Sequence, residues 1–492
     1  MARILPVLAL FALTAQAQPP QFKSGVDVVR FDVVVVDKDR HPIAGLNAGD
    51  FRVTENGRPV RIAAFQAVTI PGAIDAPVQS SAPFDSRVDV VSNQRTGPGR
   101  LVVIVMDRTI PHEWPMTHAR AIADAAIDTL GPNDRAAVVF TSRVSGTHPQ
   151  GLTTDRARLR AAVASLQMGT TPEVTMSFTG VTRGPAHYNE GECMCGLCTT
   201  ELLTQIAASL ATVQEYRKMI LFIGTDVPLS ENSHLARGAE CRGRMTEPST
   251  KLFQTLDRAN VTIHSFDPIG LDTNATAVDN TPAESADSRQ VRQGEVATLT
   301  DYTGGRSIAH SNDEAKFVPA VFDESRIYYV IAIERAASKN GKPHAVTIET
   351  SRKDATVLSR TSYFEAARDA SRNEAADPLD RAIGELLPRT DLPLRMTLAP
   401  GSTATSSVDV TLATPRTTRV RADVLVAVFD EFSKQVGVEH ATIELPARQG
   451  ADVEWMLHLN PKPGRYEIRA AVRIGAEIGT VVGHVVVTKR SR

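Results

Sequence analysis

The run Leu101-Val102-Val103-Ile104-Val105-Met106 carries no polar side chain and ends on Asp107. A strand with one wet face alternates apolar and polar residues; a strand apolar on both sides has to be covered above and below. This run therefore demands a sheet between two layers, and the residues after it supply them. Met116, Ala119, Ala123, Ile127 and Leu130 recur at spacings of three and four, with Gly131-Pro132 as a stop, which predicts an amphipathic helix. Residues 136–140 read as a second buried strand, and 154–166 as a helix with Leu159, Val163 and Leu166 on one side. A helix carrying Leu203, Ile206, Leu210 and Val213 leads to a strand at 219–223, then a helix at 249–259 and a strand at 261–266. Ser311-x-x-Glu314 reads as a capping box opening a helix with Phe317, Val318, Val321 and Phe322. Strands separated by helices of this length imply right-handed crossovers, so residues 101–325 are expected to form an α/β domain around a doubly wound, mostly parallel sheet.

The flanks read differently. Short strands over residues 26–65 are divided by polar turns, among them Glu55-Asn56-Gly57-Arg58-Pro59. Strands return at 327–333, 344–349 and 356–364. We expect residues 18–70 and 326–365 to pair into one β domain, with the α/β domain inserted between them. Residues 71–100, rich in Pro, Ser, Gly and Ala, read as a linker, and 366–389 as a helical linker broken by Pro388. The last hundred residues, 390–492, carry strands at 395–398, 407–412, 419–429, 453–459, 466–474 and 481–487, a spacing that predicts an immunoglobulin-like β-sandwich.

Composition narrows the function classes. Lys+Arg 54 against Asp+Glu 56 leaves a net charge of -2, without the basic footprint of a nucleic-acid binder, so no nucleic-acid partner is expected. Residues 1–17 hold Arg3, an apolar stretch over 4–13 and Ala15-Gln16-Ala17, the pattern of a secretory signal cleaved between Ala17 and Gln18. No other stretch is long enough to span a bilayer, so a secreted or periplasmic protein without an integral membrane span is expected. The sequence lacks a nucleophile elbow, a Walker A loop, a dinucleotide fingerprint and an H-E-x-x-H motif; His112-Glu113 meets Met116 where a second His is needed. A non-enzymatic chain is expected.

The order of segments resembles that of the secreted bacterial VWFA-related proteins of acidobacterial type, with residues 101–320 similar to a von Willebrand factor A domain. The resemblance rests on 26–65 with Gly45-Leu46 and Asp50-Phe51, on 259–271 with Asp267-Pro268, on Thr303-Gly304-Gly305-Arg306, and on Tyr328-Tyr329 followed by strands to Tyr363-Phe364. It covers about two thirds of the chain and leaves out the C-terminal sandwich. It implies a metal-ion-dependent adhesion site: an Asp-x-Ser-x-Ser run after the first strand, a loop Thr and an Asp after the fourth strand, holding Mg²⁺ or another divalent cation. Asp107 and Thr109 match that run but Pro111 replaces its last hydroxyl; Thr199 or Thr200 is the loop Thr, and Asp226 the fourth-strand carboxylate. The site is thus degenerate, and capping of loops by Asp107 and Asp226 is the bland alternative.

Cys193, Cys195, Cys198 and Cys241 are the only cysteines. In an exported chain they read first as two disulfides of unassigned connectivity, with a structural metal or a redox pair as alternatives. Three functions stand open: a binding or adhesion protein that engages a protein partner through the face bearing Asp107 and Asp226, an envelope-assembly protein with a vestigial metal site, and a hydrolase or redox enzyme using the cysteines.

Overall fold

The structure is a computed structural model that describes residues 28–72, 89–92, 99–107, 110, 114–141, 149–166, 196–211, 213, 217–230, 233, 241, 243–270, 286–309, 311–334, 343–364, 377–384, 388–400, 408–415, 418–430, 435–446, 452–459 and 462–487. The chain opens with β1 (Val28–Val36), β2 (Phe51–Glu55), β3 (Arg58–Val60), β4 (Ile62–Thr69) and β5 (Asp89–Ser92). The α/β region follows as β6 (Arg100–Met106), α1 (Trp114–Thr129), β7 (Arg135–Phe140), β8 (Gln150–Thr153), α2 (Arg156–Ser165), α3 (Leu197–Leu210), β9 (Arg217–Ile223), α4 (Thr246–Ala259), β10 (Val261–Phe266), α5 (Ala286–Thr303), β11 (Ser307–Ile308) and α6 (Val318–Glu324). Then come β12 (Ile327–Glu334), β13 (His344–Thr350), β14 (Thr356–Leu358), β15 (Ser362–Tyr363), α7 (Pro378–Ile383), β16 (Arg395–Pro400), β17 (Val408–Pro415), β18 (Val420–Asp430), β19 (Gln435–Leu445), β20 (Asp452–Leu459), β21 (Gly464–Ile474) and β22 (Glu477–Val487). The fold is mixed α/β with additional all-β units.

One six-stranded sheet runs β11-β10-β9-β6-β7-β8, parallel throughout except for the edge strand β8. The apolar run of β6 is divided between its two faces. Val102, Ile104 and Met106 pack with α1, α2 and α6, while Leu101, Val103 and Val105 pack with α3, α4 and α5. Every residue of β6 is buried, as an uninterrupted apolar strand requires. Helix α5 was not anticipated: its face is sparsely apolar, with Val296 and Leu299 as its buried anchors. The expected capping box does not form. Ser311 Oγ accepts from the Asp313 backbone amide at 3.1 Å, while Glu314 turns into the core and meets His118 Nδ1 on α1 at 3.1 Å.

The flanking strands form two sheets across the α/β insertion. β1 and β4 sandwich β12 in the order β14-β1-β12-β4, and β2 lies between β13 and β3 in the order β15-β13-β2-β3. Tyr329 ties together the two segments that flank the α/β region. Its hydroxyl donates to the Ile43 carbonyl at 2.7 Å and accepts the Leu46 amide at 3.2 Å, while its ring stacks on Phe65.

The C-terminal region forms two antiparallel four-stranded sheets, β20-β17-β16-β5 and β19-β18-β21-β22, which share one apolar core that includes Met396, Val410, Val424, Ile468 and Val481. Within the stretch taken for a linker, Asp89–Ser92 is a strand that pairs antiparallel with β16, so the terminal unit borrows an edge from before the α/β region. β19 was missed because its pattern is mostly exposed and polar; it is held by an eleven-residue neighbour, β18, rather than by its own burial. In 366–389 the described helix is α7, capped by the Asp377 side chain, which packs on Leu425, Ala427 and Phe429.

The amino ends of the central parallel strands face the β unit through charged contacts. Glu324 binds Arg40 at 2.7 Å and Arg306 at 2.6 Å, Arg217 lies over the Tyr328 ring at 5.1 Å, and Arg360 pairs with Asp257 at 3.6 Å. The carboxyl ends of the strands are left at the opposite pole.

Candidate functional site

β6 sits between β9 and β7, so the crossovers leave it in opposite directions and the carboxyl ends of β6 and β9 flank a topological switch point. Asp107 is the first residue after β6, and its amide donates to the Ile223 carbonyl at the end of β9, at 2.8 Å. That bond holds Asp107 against the neighbouring loop. Gly224 is required there: a Cβ on it would lie 2.6 Å from the Asp107 Cβ.

Two hydroxyls converge on one oxygen of Asp107. Thr199 Oγ1, in the first turn of α3, donates to Asp107 Oδ1 at 2.8 Å, and Thr141 Oγ1, directly after β7, donates to the same atom at 2.5 Å. All three side chains are buried, Asp107 being 1% exposed. Asp226, two residues beyond Gly224, is 2% exposed in the adjoining loop. That loop is fixed from α5: Arg292 Nη1 donates to the Thr225 carbonyl at 2.8 Å and lies 3.6 Å from Asp267 Oδ2 at the end of β10.

Of the two candidates for the loop threonine, only one reaches Asp107. Thr199 is inside α3 rather than in a loop and faces Asp107; Thr200 turns away and donates to the Pro228 carbonyl at 3.3 Å. Thr109, Pro111 and the signal-cleavage residues Ala17 and Gln18 lie outside the described residues. Thr141 and Arg292 were not singled out beforehand. Thr141 had a signal: it is the first polar residue after the buried run Ala136-Ala137-Val138-Val139-Phe140, the place Asp107 takes after β6. Arg292 had none, because its helix was not expected.

Cys198 lies one residue before Thr199 and is fully buried at the start of α3; Cys241 packs with Leu197 and Met245. Both are disulfide-bonded, and among the described residues no cysteine is free. Cys193 and Cys195 lie outside the described residues.

The donor set at the switch point is oxygen only: carboxylates from Asp107 and Asp226 and hydroxyls from Thr141 and Thr199. Such groups fit a hard cation such as Mg²⁺ and not a thiol- or imidazole-seeking metal. Among the described residues there is no cluster of three or more His, Cys, Asp or Glu side chains placed to hold a metal, so hydroxyls would have to complete any such site.

Among the described residues no helix is long and apolar enough to cross a membrane. No protein-family model matches the chain, and no curated protein matches it. Solved structures with some likeness include a β-glucuronidase from glycoside hydrolase family 2, 15% identical with a TM-score of 0.15 over 18% of this chain and 11% of that one. A putative β-galactosidase from Bacteroides fragilis is 14% identical with a TM-score of 0.15, over 18% of this chain and 15% of that one. A β-glucosidase from Listeria innocua is 11% identical with a TM-score of 0.16, over 81% of this chain and 48% of that one. The chain thus spans less than two thirds of each of these proteins, and likeness of this size says nothing about its chemistry.

Proposed function

We propose that the chain is an exported, non-enzymatic binding protein whose α/β region is a domain of von Willebrand factor A type, followed by an immunoglobulin-like sandwich. Its switch-point face takes a divalent cation of the Mg²⁺ class and engages a protein partner. The observation that carries this reading is the convergence of Thr141 and Thr199 on Asp107, with Asp226 in the next loop. Two hydroxyls and one carboxylate held by three separate elements already meet, and a cation there, with Asp226 in the next loop, would leave a position for a carboxylate from the partner. Two features support a protein as the target. The face lies at the pole opposite the β unit, and the loops that carry it are held by Arg292 and by the close approach of Gly224 to Asp107.

Calorimetric titration with Mg²⁺ and Mn²⁺ tests the site. Saturable binding that is lost in Asp107→Ala and weakened by at least about tenfold in Thr141→Val is the expected outcome. A pull-down from the native envelope fraction with and without chelator then tests the partner. One observation favours the reading in which the metal site is vestigial: Asp107 Oδ1 already accepts two hydroxyl hydrogen bonds, which satisfies that oxygen without a cation. Absence of cation binding in the wild-type chain, together with loss of thermal stability in Asp107→Ala, would assign these residues to loop capping and overturn the metal-dependent reading.

A further inference from the structure

A cavity of about 690 Å³ opens at the other pole, where α4 and α5 meet the β unit. One wall is the edge of β13. The main chain of β13 alternates in direction: Ala345 bonds toward β2 by accepting the Asn56 amide, whereas the Val346 amide donates away from β2, to the Thr361 carbonyl at 2.8 Å. Ile348 and Thr350 therefore also direct their amides and carbonyls away from β2. On that side the ladder to β15 covers only His344 and Ala345, and β14 diverges to pair with β1. The hairpin is splayed, and among the described residues no strand pairs with Ile348 or Thr350 at this edge.

The rest of the lining fits an uncharged occupant. In a chain with 22% charged residues, none of the described residues lining the cavity is charged. Phe253 and Tyr302 form an aromatic pair, with ring centroids 4.5 Å apart, and Val357 and Phe364 add apolar surface. The Tyr302 hydroxyl is held by a buried relay, donating to Asp257 Oδ2 at 2.7 Å and accepting from Ser362 Oγ at 2.7 Å. The wall is also fixed in place. Gly304, at φ +73°, packs so tightly on Ser359 that a Cβ would come within 2.6 Å of its backbone.

We infer that this cleft is a second binding site, separate from the Asp107 face, that accepts an extended, uncharged segment of a partner polypeptide as an added strand on β13. The open edge supplies main-chain hydrogen bonds, and the apolar pocket selects side chains on one face of the added strand, the division of labour in β-augmentation. A strand's own backbone is neutral and carries alternating donors and acceptors, so the lack of charge in the lining and the unpaired edge point to the same occupant.

The test uses the full chain and a capped hexapeptide of alternating threonine and valine, labelled for fluorescence anisotropy. A companion peptide has alternate amides N-methylated, which removes the donors along one edge while keeping the side chains. Expected is saturable binding by the first peptide, at least about tenfold weaker for the N-methylated peptide and for the cavity-filling variant Ser359→Tyr. Hydrogen exchange at the Ile348 and Thr350 amides should slow when the peptide binds. The inference is overturned if millimolar peptide does not bind, if N-methylation makes no difference, or if a neutral disaccharide slows exchange at Ile348 while the peptide does not. The N-methyl comparison stands even if Ser359→Tyr fails to fold. Because neither peptide touches the Asp107 loops, chelator should leave binding unchanged, so this result and the cation titration can fail separately.

Discussion

Asp257 and His264 carry opposite pH dependences within one charged interface. Burial pushes the Asp257 carboxyl up to about 6, although Arg360 beside it and the Tyr302 hydroxyl pull the other way. The folded state then holds a proton that the unfolded state has released above about 4, so this group's contribution is full at low pH and is lost as pH rises through 6. His264 does the reverse. Burial, with Arg217, Arg306 and Arg40 nearby, lowers its imidazole to about 3, and its Nδ1 accepts the Arg306 amide at 3.1 Å. Its contribution is present above the unfolded value of 6.5 and fades as pH falls toward 3. Between pH 4 and 6 the two slopes oppose each other. In Asp257→Asn the histidine slope is left unbalanced, and Arg360 loses its charged partner. The variant should be less stable than wild type by an amount that grows by roughly 3 kcal/mol from pH 7 to pH 4, the free energy of a two-unit shift. Urea unfolding at both pH values measures it; a deficit independent of pH would show that Asp257 does not titrate in this window.

At the scale of elements, the segments that looked most distinctive in the sequence are those where the backbone has no room. Thr303-Gly304-Gly305 ends α5 and leads into β11. Gly304 adopts φ +73°, and a Cβ on Gly305 would lie 1.7 Å from the Ile263 carbonyl oxygen on β10. Thr303 Oγ1 meanwhile receives the Ile263 amide at 3.0 Å. The end of the helix is thus clamped onto the strand through both main-chain groups of one residue. Gly305→Ala should cost about 3 kcal/mol or more, because β10 or α5 must shift. Gly57→Ala is the contrast: φ is +77° but nothing lies within 4 Å, so only the left-handed conformation is penalised, by about 1 kcal/mol. Equilibrium unfolding of the two variants should rank them in that order. Equal losses would mean that the close approach relaxes at little cost.

For the whole molecule, the pairing of β1 and β4 with β12, and of β2 with β13, closes the β unit only after the α/β region has been made. A chain shortened to residues 28–364 keeps all of these ladders and loses, across the cut, the β5–β16 pairing and the contact of Arg158 on α2 with His484 on β22, so it should unfold in a single cooperative transition. Residues 101–325 alone lose Tyr328 from over Arg217, Arg360 from Asp257, and Arg40 from Glu324. Buried charges then meet water or one another, and thermal unfolding of this fragment should begin at a lower temperature than that of residues 28–364. An equal or higher midpoint for the fragment would mean that the charged interface contributes nothing to the stability of the α/β region.

The α/β order could be read from residues alone because strands covered on both faces are mostly apolar, so uninterrupted runs such as 101–106 and 219–223 point to a sheet between two layers. Asp107 stood out for the same reason, as the first polar residue at the end of such a run. What the pattern could not carry were elements stabilised by something other than their own burial: β19 held by β18, β5 recruited across the chain by β16, and α5 anchored by few apolar residues. The choice of Thr199 over Thr200, the arrival of Thr141 on Asp107, and the splayed edge of β13 depend on distances between segments far apart in sequence. Periodicity determines which face of each element is buried. Only packing decides which of two adjacent hydroxyls meets a carboxylate and which strand edge is left without a neighbour.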